Sequence, residues 1–225
     1  MRWRGNSQGP AGSVNGSGSR MSSDLPDVRS AIITSAADAF AEDGYAATTV
    51  DLLADRIGAT KGLVYYHFRS KFDIYLAIYE RGMSLLRAEV ESRMGGAESG
   101  LARLEAMSHA HLVNLMTHLG YHHTIHQGVR GQMNSALKPR QQQVLVELNS
   151  LRLDYENLFV DVMTEGVADG SIRVGSPRMA AKVLLSSLNG IDLWYRRREG
   201  QTLAETESLA DQIVELLIGG LRAAN

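Results

Sequence analysis

Between Arg56 and Phe72 the charged side chains are Arg56, Lys61, Arg69 and Lys71; His67 stands among them and neither Asp nor Glu occurs. That is a local basic face on a chain whose formal net charge is −2, and its residue types suit a nucleic acid. Lys61 can reach guanine O6 and N7 or a phosphate, Gly62 lets a backbone come close, and Leu63 can meet a thymine methyl. Tyr65, Tyr66 and His67 are donors of the kind that hold phosphate oxygens. Lys71 stands at the start of a following helix, where backbone N–H groups also face an anion.

A second concentration of chemistry is histidine. His109, His111, His118, His122, His123 and His126 fall within eighteen positions. His118 and His122, like His122 and His126, are one helical turn apart, a spacing at which imidazoles can share a metal. No third ligand follows from the spacing, so no metal is assigned; lining of a ligand cavity and ordinary core or surface positions are the competing readings. Trp194 and Tyr195, followed by Arg196, Arg197 and Arg198, could hold an anionic effector such as a coenzyme A thioester. A packed aromatic pair with cations near a helix C-terminus is the favoured reading of that run.

The elements that must position these residues are helical. From Asp27 onward apolar residues recur at three- and four-residue intervals, and the chain has four prolines; this predicts an all-α fold of about nine helices. The spans are about Asp27 to Asp43, 50 to 57, 61 to 68, Ser70 to Met94, 98 to 119, 121 to 134, 140 to 169, 176 to 197 and 203 to 222, with Gly120 as a break between two of them. Gly44 suits a left-handed C-cap, and Gly58 a tight turn between two short helices. The first of those buries Val50, Leu53, Ala54 and Ile57; the second is capped by Thr60 and buries Val64 and Phe68. Two short helices around a Gly-containing turn are a helix-turn-helix, whose second member enters the major groove.

The segment from Thr48 to Lys71, with its Thr-Thr-Val start, Gly-hydrophobic turn and Lys-Gly-x-hydrophobic-Tyr-x-His-Phe-x-Ser-Lys close, resembles the signature of the TetR family of transcriptional regulators. The likeness spans roughly residues 28 to 80. It implies an N-terminal three-helix DNA-binding domain (25–72) and a C-terminal helical ligand-binding and dimerisation domain (73–225); residues 1–24, rich in Gly, Ser and Asn and without a hydrophobic period, are expected by composition to be a disordered tail. It also implies phosphate or capping roles for Thr48 and Thr49, base contact for Lys61, Gly62 and Leu63, and backbone or flanking contacts for Tyr65, Tyr66, His67 and Lys71. Many relatives have Thr or Ser where this chain has Leu63. The resemblance makes the last two helices a homodimer interface, with Val183, Ser187, Ile191, Leu209, Ile213, Leu216 and Leu217 as its candidates. Met116, His122, His126, Tyr155, Phe159 and Trp194 are the candidates for lining an effector cavity.

The remaining classes are narrowed by composition. Cysteine is absent, which removes disulfides and thiolate metal sites and fits a reducing cytoplasm. No run approaches the roughly 18 apolar residues of a spanning helix, and Arg2, Arg4 and Arg20 are separated by Gly, Ser and Asn rather than an apolar core, so no signal peptide is read. An enzyme is not expected, because no paired nucleophile and base and no Gly-rich phosphate loop occur; no cofactor is assigned. The expected partners are an operator in double-stranded DNA, a small hydrophobic or amphipathic effector that Met-rich walls could accommodate, and a second copy of the chain.

Overall fold

Ile32, Ile33, Ala36, Ala37, Ala39 and Phe40 recur at helical spacing, and in the computed structural model they form the buried face of α1 (Val28–Asp43). The structure describes residues 28–96, 99–129 and 137–219. The expected tail over 1–24 and the ends of the 121–134 and 203–222 helices lie outside the described residues. Nine α-helices are present among the described residues: after α1 come α2 (Val50–Arg56), α3 (Lys61–His67), α4 (Lys71–Ser92), α5 (Gly100–Thr117), α6 (Leu119–Val129), α7 (Pro139–Ala168), α8 (Pro177–Asn189) and α9 (Leu203–Ile218).

Most starts have a local cause. Thr49, Thr60, Ser70, Ser99, Ser176 and Thr202 each precede a helix and accept a hydrogen bond from a first-turn amide, satisfying a donor that the helix itself leaves open. Glu205 returns a bond to the Thr202 amide, completing a capping box. Pro139 and Pro177 occupy the first helical turn, where the missing N–H is not needed. Gly58, at φ +64°, makes the turn between α2 and α3.

α1, α2 and α3 form a small head around Phe40, Leu53, Val64 and Phe68, and this core runs without interruption into α4 through Phe72, Tyr75 and Tyr79. α4 therefore belongs to both head and body. α6 packs on α1 and α4, α5 on α4, α7 and α9, and α7 on α8.

Two expectations are corrected. The break after α5 falls at His118, and Gly120 lies inside α6. A Cβ on Gly120 would come within 3.1 Å of the Ala37 carbonyl carbon and the Asp38 nitrogen, so this glycine serves a close crossing of α6 over α1. The helix expected over 176 to 197 stops at Asn189, and a 3-10 turn, Gly190–Leu193, follows; that turn drives Asp192, fully buried, beneath His126. On α9 the covered stripe is Thr206, Ala210, Val214 and Ile218. Leu209, Ile213 and Leu217 flank it and are only partly buried, and Leu216 stands 81% exposed.

Candidate nucleic-acid interface and ligand cavity

α3 is held by its inward residues, Val64 and the C-cap Phe68, and turns Lys61, Gly62, Leu63, Tyr65 and Tyr66 to solvent. Tyr66 is 83% exposed, a poor place for an aromatic ring unless something packs there. Its ring meets that of the half-buried His67 edge-on. A Cβ on Gly62 would meet nothing nearer than the Thr60 hydroxyl at 3.8 Å. Packing within the chain thus gives no reason for glycine there, whereas close approach of a second molecule does. Lys61 Nζ lies 2.8 Å from Asp51 Oδ2 across the α2–α3 turn. Both groups are exposed, a pairing that a phosphate or base could exchange at little cost.

Two residues expected at the phosphate backbone are placed elsewhere. Thr48 is fully buried and its hydroxyl donates to the carbonyls of Gly44 (2.9 Å) and Ala39 (3.3 Å), so it braces the end of α1. Lys71 turns its ammonium inward, donating to the carbonyls of Tyr45 (2.6 Å), Thr48 (2.8 Å) and Ala46 (3.3 Å), and lies over the Tyr45 ring. Carbonyls of a tight loop that no helix satisfies draw it there, and burial lowers its pKa. Thr49 remains accessible, as the cap of α2.

Behind the head, α4, α5, α6, α7 and α8 surround a cavity of about 410 Å³. Its apolar wall includes Met83, Leu86, Ile125 and Leu185, and its polar wall His111, His122, His126, Tyr155 and Asn189, with Arg152, Glu156 and Lys182 also on its lining. Of the residues expected to line an effector cavity, His122, His126 and Tyr155 are on this lining. Met116 and Phe159 are instead buried in the core and absent from the lining, because they point between helices and not at the gap. Trp194, 58% exposed, sits on a separate surface groove with Arg196 and Arg198. Arg152, Glu156, Lys182 and Asn189 were not legible as site residues, being ordinary polar residues of two helices whose facing is set by packing. His111 stood in the histidine run, but nothing in its spacing distinguished it from His109.

Three of the histidines are each held by hydrogen bonds of their own. His111 Nδ1 meets the Tyr155 hydroxyl at 2.8 Å, His122 Nε2 meets Asn114 Oδ1 at 3.0 Å, and His126 sits between Asp192 Oδ2 (2.7 Å) and Asn189 Oδ1 (3.1 Å). Burial, with His126 nearby, pushes His111 down to about 3 against the opposing effect of its hydrogen bond with the Asn189 side chain. Burial also holds His122 well below the usual imidazole range. At neutral pH both are uncharged, able to hydrogen-bond a neutral group without attracting an ion. Among the described residues no group of three or more His, Asp or Glu is placed to hold a metal, and no helix is long and apolar enough to cross a membrane.

Of the expected dimer residues, Val183 is 59% exposed, Ser187 partly so, and Leu209, Ile213, Leu216 and Leu217 form the uncovered edge of α9. Ile191 is an exception. It is buried in the chain's own core by the 3-10 turn.

Residues 32–78 match the profile of bacterial regulatory proteins of the tetR family, and residues 97–221 that of the tetracyclin repressor-like C-terminal domain. The chain is 23% identical over 192 residues to the fatty acid metabolism regulator protein of Bacillus subtilis (strain 168), covering 84% of this chain and 93% of that one. It is 25% identical over 194 residues to the HTH-type transcriptional repressor KstR2 of Mycolicibacterium smegmatis, covering 86% and 90% respectively. Its fold superposes with a TM-score of 0.66 on AibR, whose crystal structure holds isovaleryl coenzyme A and operator DNA, at 23% identity over 84% of this chain and 96% of that one. With both halves matched in order and with an exposed α3 behind a Gly58 turn, the chain belongs to the TetR family of helix-turn-helix transcriptional regulators.

Proposed function

We propose that the chain is a cytoplasmic repressor that binds a palindromic operator as a homodimer and releases it when a small hydrophobic or amphipathic molecule, of an acyl-thioester-like or lipid-derived kind, fills the cavity. The head (25–72) reads DNA through Thr49, Lys61, Gly62, Leu63, Tyr65, Tyr66 and His67; the body (73–225) senses and dimerises. The names of the Bacillus regulator and of KstR2, and the ligand of AibR, support the effector class and the sign of control. The second apolar edge of α9 and the exposed Val183 on α8 support pairing of two copies, since a covered interface is what such an edge lacks.

The observation that carries this reading is the double engagement of α6. One face, with His122, Ile125 and His126, lines the cavity; the other crosses α1 at Gly120, where Tyr121 OH meets Thr34 Oγ1 at 3.0 Å and Thr124 Oγ1 donates to the Ala37 carbonyl at 3.3 Å. A molecule in the cavity that favours one setting of α6 thereby biases where α1 carries the head, and only that differential affinity can move DNA binding. The test is fluorescence anisotropy on duplexes from the DNA upstream of the chain's own coding sequence, with fatty acids and acyl thioesters added. Release by about 5- to 150-fold, with the same factor lost in ligand affinity when operator is present, is expected. No duplex bound more tightly than random DNA, or equal ligand affinity with and without operator, would sink the proposal. Dimerisation is checked separately: Leu216→Glu should yield monomers in sedimentation velocity.

A further inference from the structure

α8 has two faces that share residues. Lys182 and Ser186 line the cavity, and the same two residues border a groove on the outer surface together with Val183 and Ser187. Both are exposed, as is Leu153 on the α7 side of the lining, so the cavity opens to solvent between α7 and α8, at the edge of that groove. Outward from this mouth, Val183, Ser187, Gly190 and Trp194 follow at intervals of four, three and four. Val183 and Trp194 are 59% and 58% exposed, and Ser187 turns its hydroxyl back onto the Val183 carbonyl at 3.0 Å. Gly190 has φ −64°, and a Cβ there would meet nothing within 4 Å. Neither backbone conformation nor packing within the chain calls for glycine at this point, whereas the close approach of a second backbone does. Trp194 shares a further groove with Leu209 of α9, and so joins this strip to the uncovered edge of α9.

We infer that a second copy of the chain seats on this strip and closes the mouth of the cavity, so that the effector site is complete only in the dimer. This rests on the pairing through α8 and α9 proposed above, and adds that the partner forms a wall of the cavity. Charge selects the occupant. α8 carries Arg178 and Lys182 and no acid, whereas α9 carries Glu205, Glu207, Asp211 and Glu215 and no base. Within the chain, Lys182 Nζ stands 3.8 Å from Glu156 Oε1, and Asp211 Oδ1 3.4 Å from His109 Nε2, separations that leave both free to meet a closer partner. A two-fold pairing that lays α8 of one copy across α9 of the other brings unlike charges together, and it covers Val183, Trp194 and Leu216 in both copies. Val183 and Ser187 are each the next residue in the chain after Lys182 and Ser186, so whatever packs on the first two also walls the mouth. A molecule held in the closed cavity then tightens the dimer by mass action, because it binds the paired form better than the open one.

The chain has no cysteine, so single introduced thiols can report on the mouth without a ligand in hand. Ser186→Cys and Leu153→Cys place one on each rim. Val146→Cys, at an exposed position of α7 that is absent from the lining, is the reference. Each is made in the full chain and again together with Leu216→Glu; sedimentation velocity gives the state of assembly, and a polar maleimide gives the rate of labelling. Relative to the reference, both rim thiols should react about tenfold more slowly in dimers than in Leu216→Glu monomers, because a packed interface excludes water and reagent. Dilution of the singly substituted chains through dimer dissociation should restore the fast rates without the second substitution. Rim rates that are equal in dimer and monomer, or protection of Ser186→Cys with Leu153→Cys left reactive, would overturn the inference; the partner would then lie clear of the mouth or beside it, and pairing through α8 and α9 would stand. A chain that is monomeric throughout, or one that stays dimeric with Leu216→Glu, would remove that pairing, and this inference with it.

Discussion

The head and the body depart from the usual distribution of polarity in opposite directions. α3 holds Leu63, Tyr65 and Tyr66 in solvent, where apolar and aromatic area gains nothing from the chain itself. The body buries His111, His122 and Asp192, groups that are costly to remove from water unless fully paired. Each departure is local. Around α3 the rest of the head is conventionally packed on Phe40, Leu53 and Val64, and around the cavity the core is Leu104, Met107, Leu115 and Phe159. The difference teaches what sort of partner each region is built for. The head offers an exposed face with a glycine to let a large molecule come close, and the body offers a cavity with polar groups on one wall for a small one.

The strongest way to break the contrast is to spoil the body without touching the head. Gly100 of α5 rests on Gly166 of α7, and a Cβ on it would land on the Gly166 backbone, which cannot swing aside as a side chain can. Gly100→Val should cost about 3 kcal/mol in urea unfolding and weaken ligand binding, since α5 and α7 bring His111 to Tyr155. A stability change below 1 kcal/mol would mean that the crossing is looser than this.

Next comes a test within the head, between its two motif lysines. Lys71→Met leaves three loop carbonyls without their donor and should cost about 2 kcal/mol, with the salt dependence of DNA binding unchanged. Lys61→Gln should leave the melting temperature where it is and lower the slope of log K against log salt by about 1. Reversal of the two results would return Lys71 to the phosphate backbone and take Lys61 from it.

A smaller effect follows from the histidines. His111 has a folded-state pKa of about 3 and His122 one well below the usual value, so the unfolded chain binds more protons than the folded one as pH falls below about 6.5. Stability contributed by the neutral forms is complete above that pH and declines through acid. The urea midpoint should drop between neutral pH and pH 5, and less steeply in His111→Phe than in the unaltered chain. Parallel slopes would show that His111 is not the group that titrates.

The smallest change in stability should come from Gly62→Ala, and its sign is the point. The site has room for a methyl, so helix propensity should raise stability by about 0.5–1 kcal/mol, while operator affinity falls because the methyl occupies the space of approach. Tighter or unchanged DNA binding would remove Gly62 from the interface.

How far the site could be read from the chain alone differs between the two regions. The helix-turn-helix was legible because its determinants are neighbours in sequence: Thr49 and Thr60 as caps, Gly58 as the turn, and Val64 and Phe68 as the inward pair. Even there the structure places Thr48 and Lys71 differently, because their partners are carbonyls of the end of α1 and of the Gly44–Thr48 loop, which leave no mark in residue types. The cavity was legible only in part, as a surplus of histidine and in Tyr155. Which imidazoles face it, and that Arg152, Glu156, Lys182 and Asn189 face it with them, depends on how five helices rotate as they pack.

By itself, then, the order of residues determined the all-helical fold, the caps and turns, the exposed face of α3 and the family, all of them consequences of interactions spanning a few residues. Tertiary structure alone decided that Gly120 marks a crossing and not a break, that the Gly190–Leu193 turn carries Asp192 under His126, that α9 keeps a second apolar edge, and that His111 of α5 meets Tyr155 of α7. The physical reason is common to all four. Helical period says which residues share a face, but what that face meets is settled by close packing against segments distant in the chain, where a methyl's width or a quarter turn decides the contact.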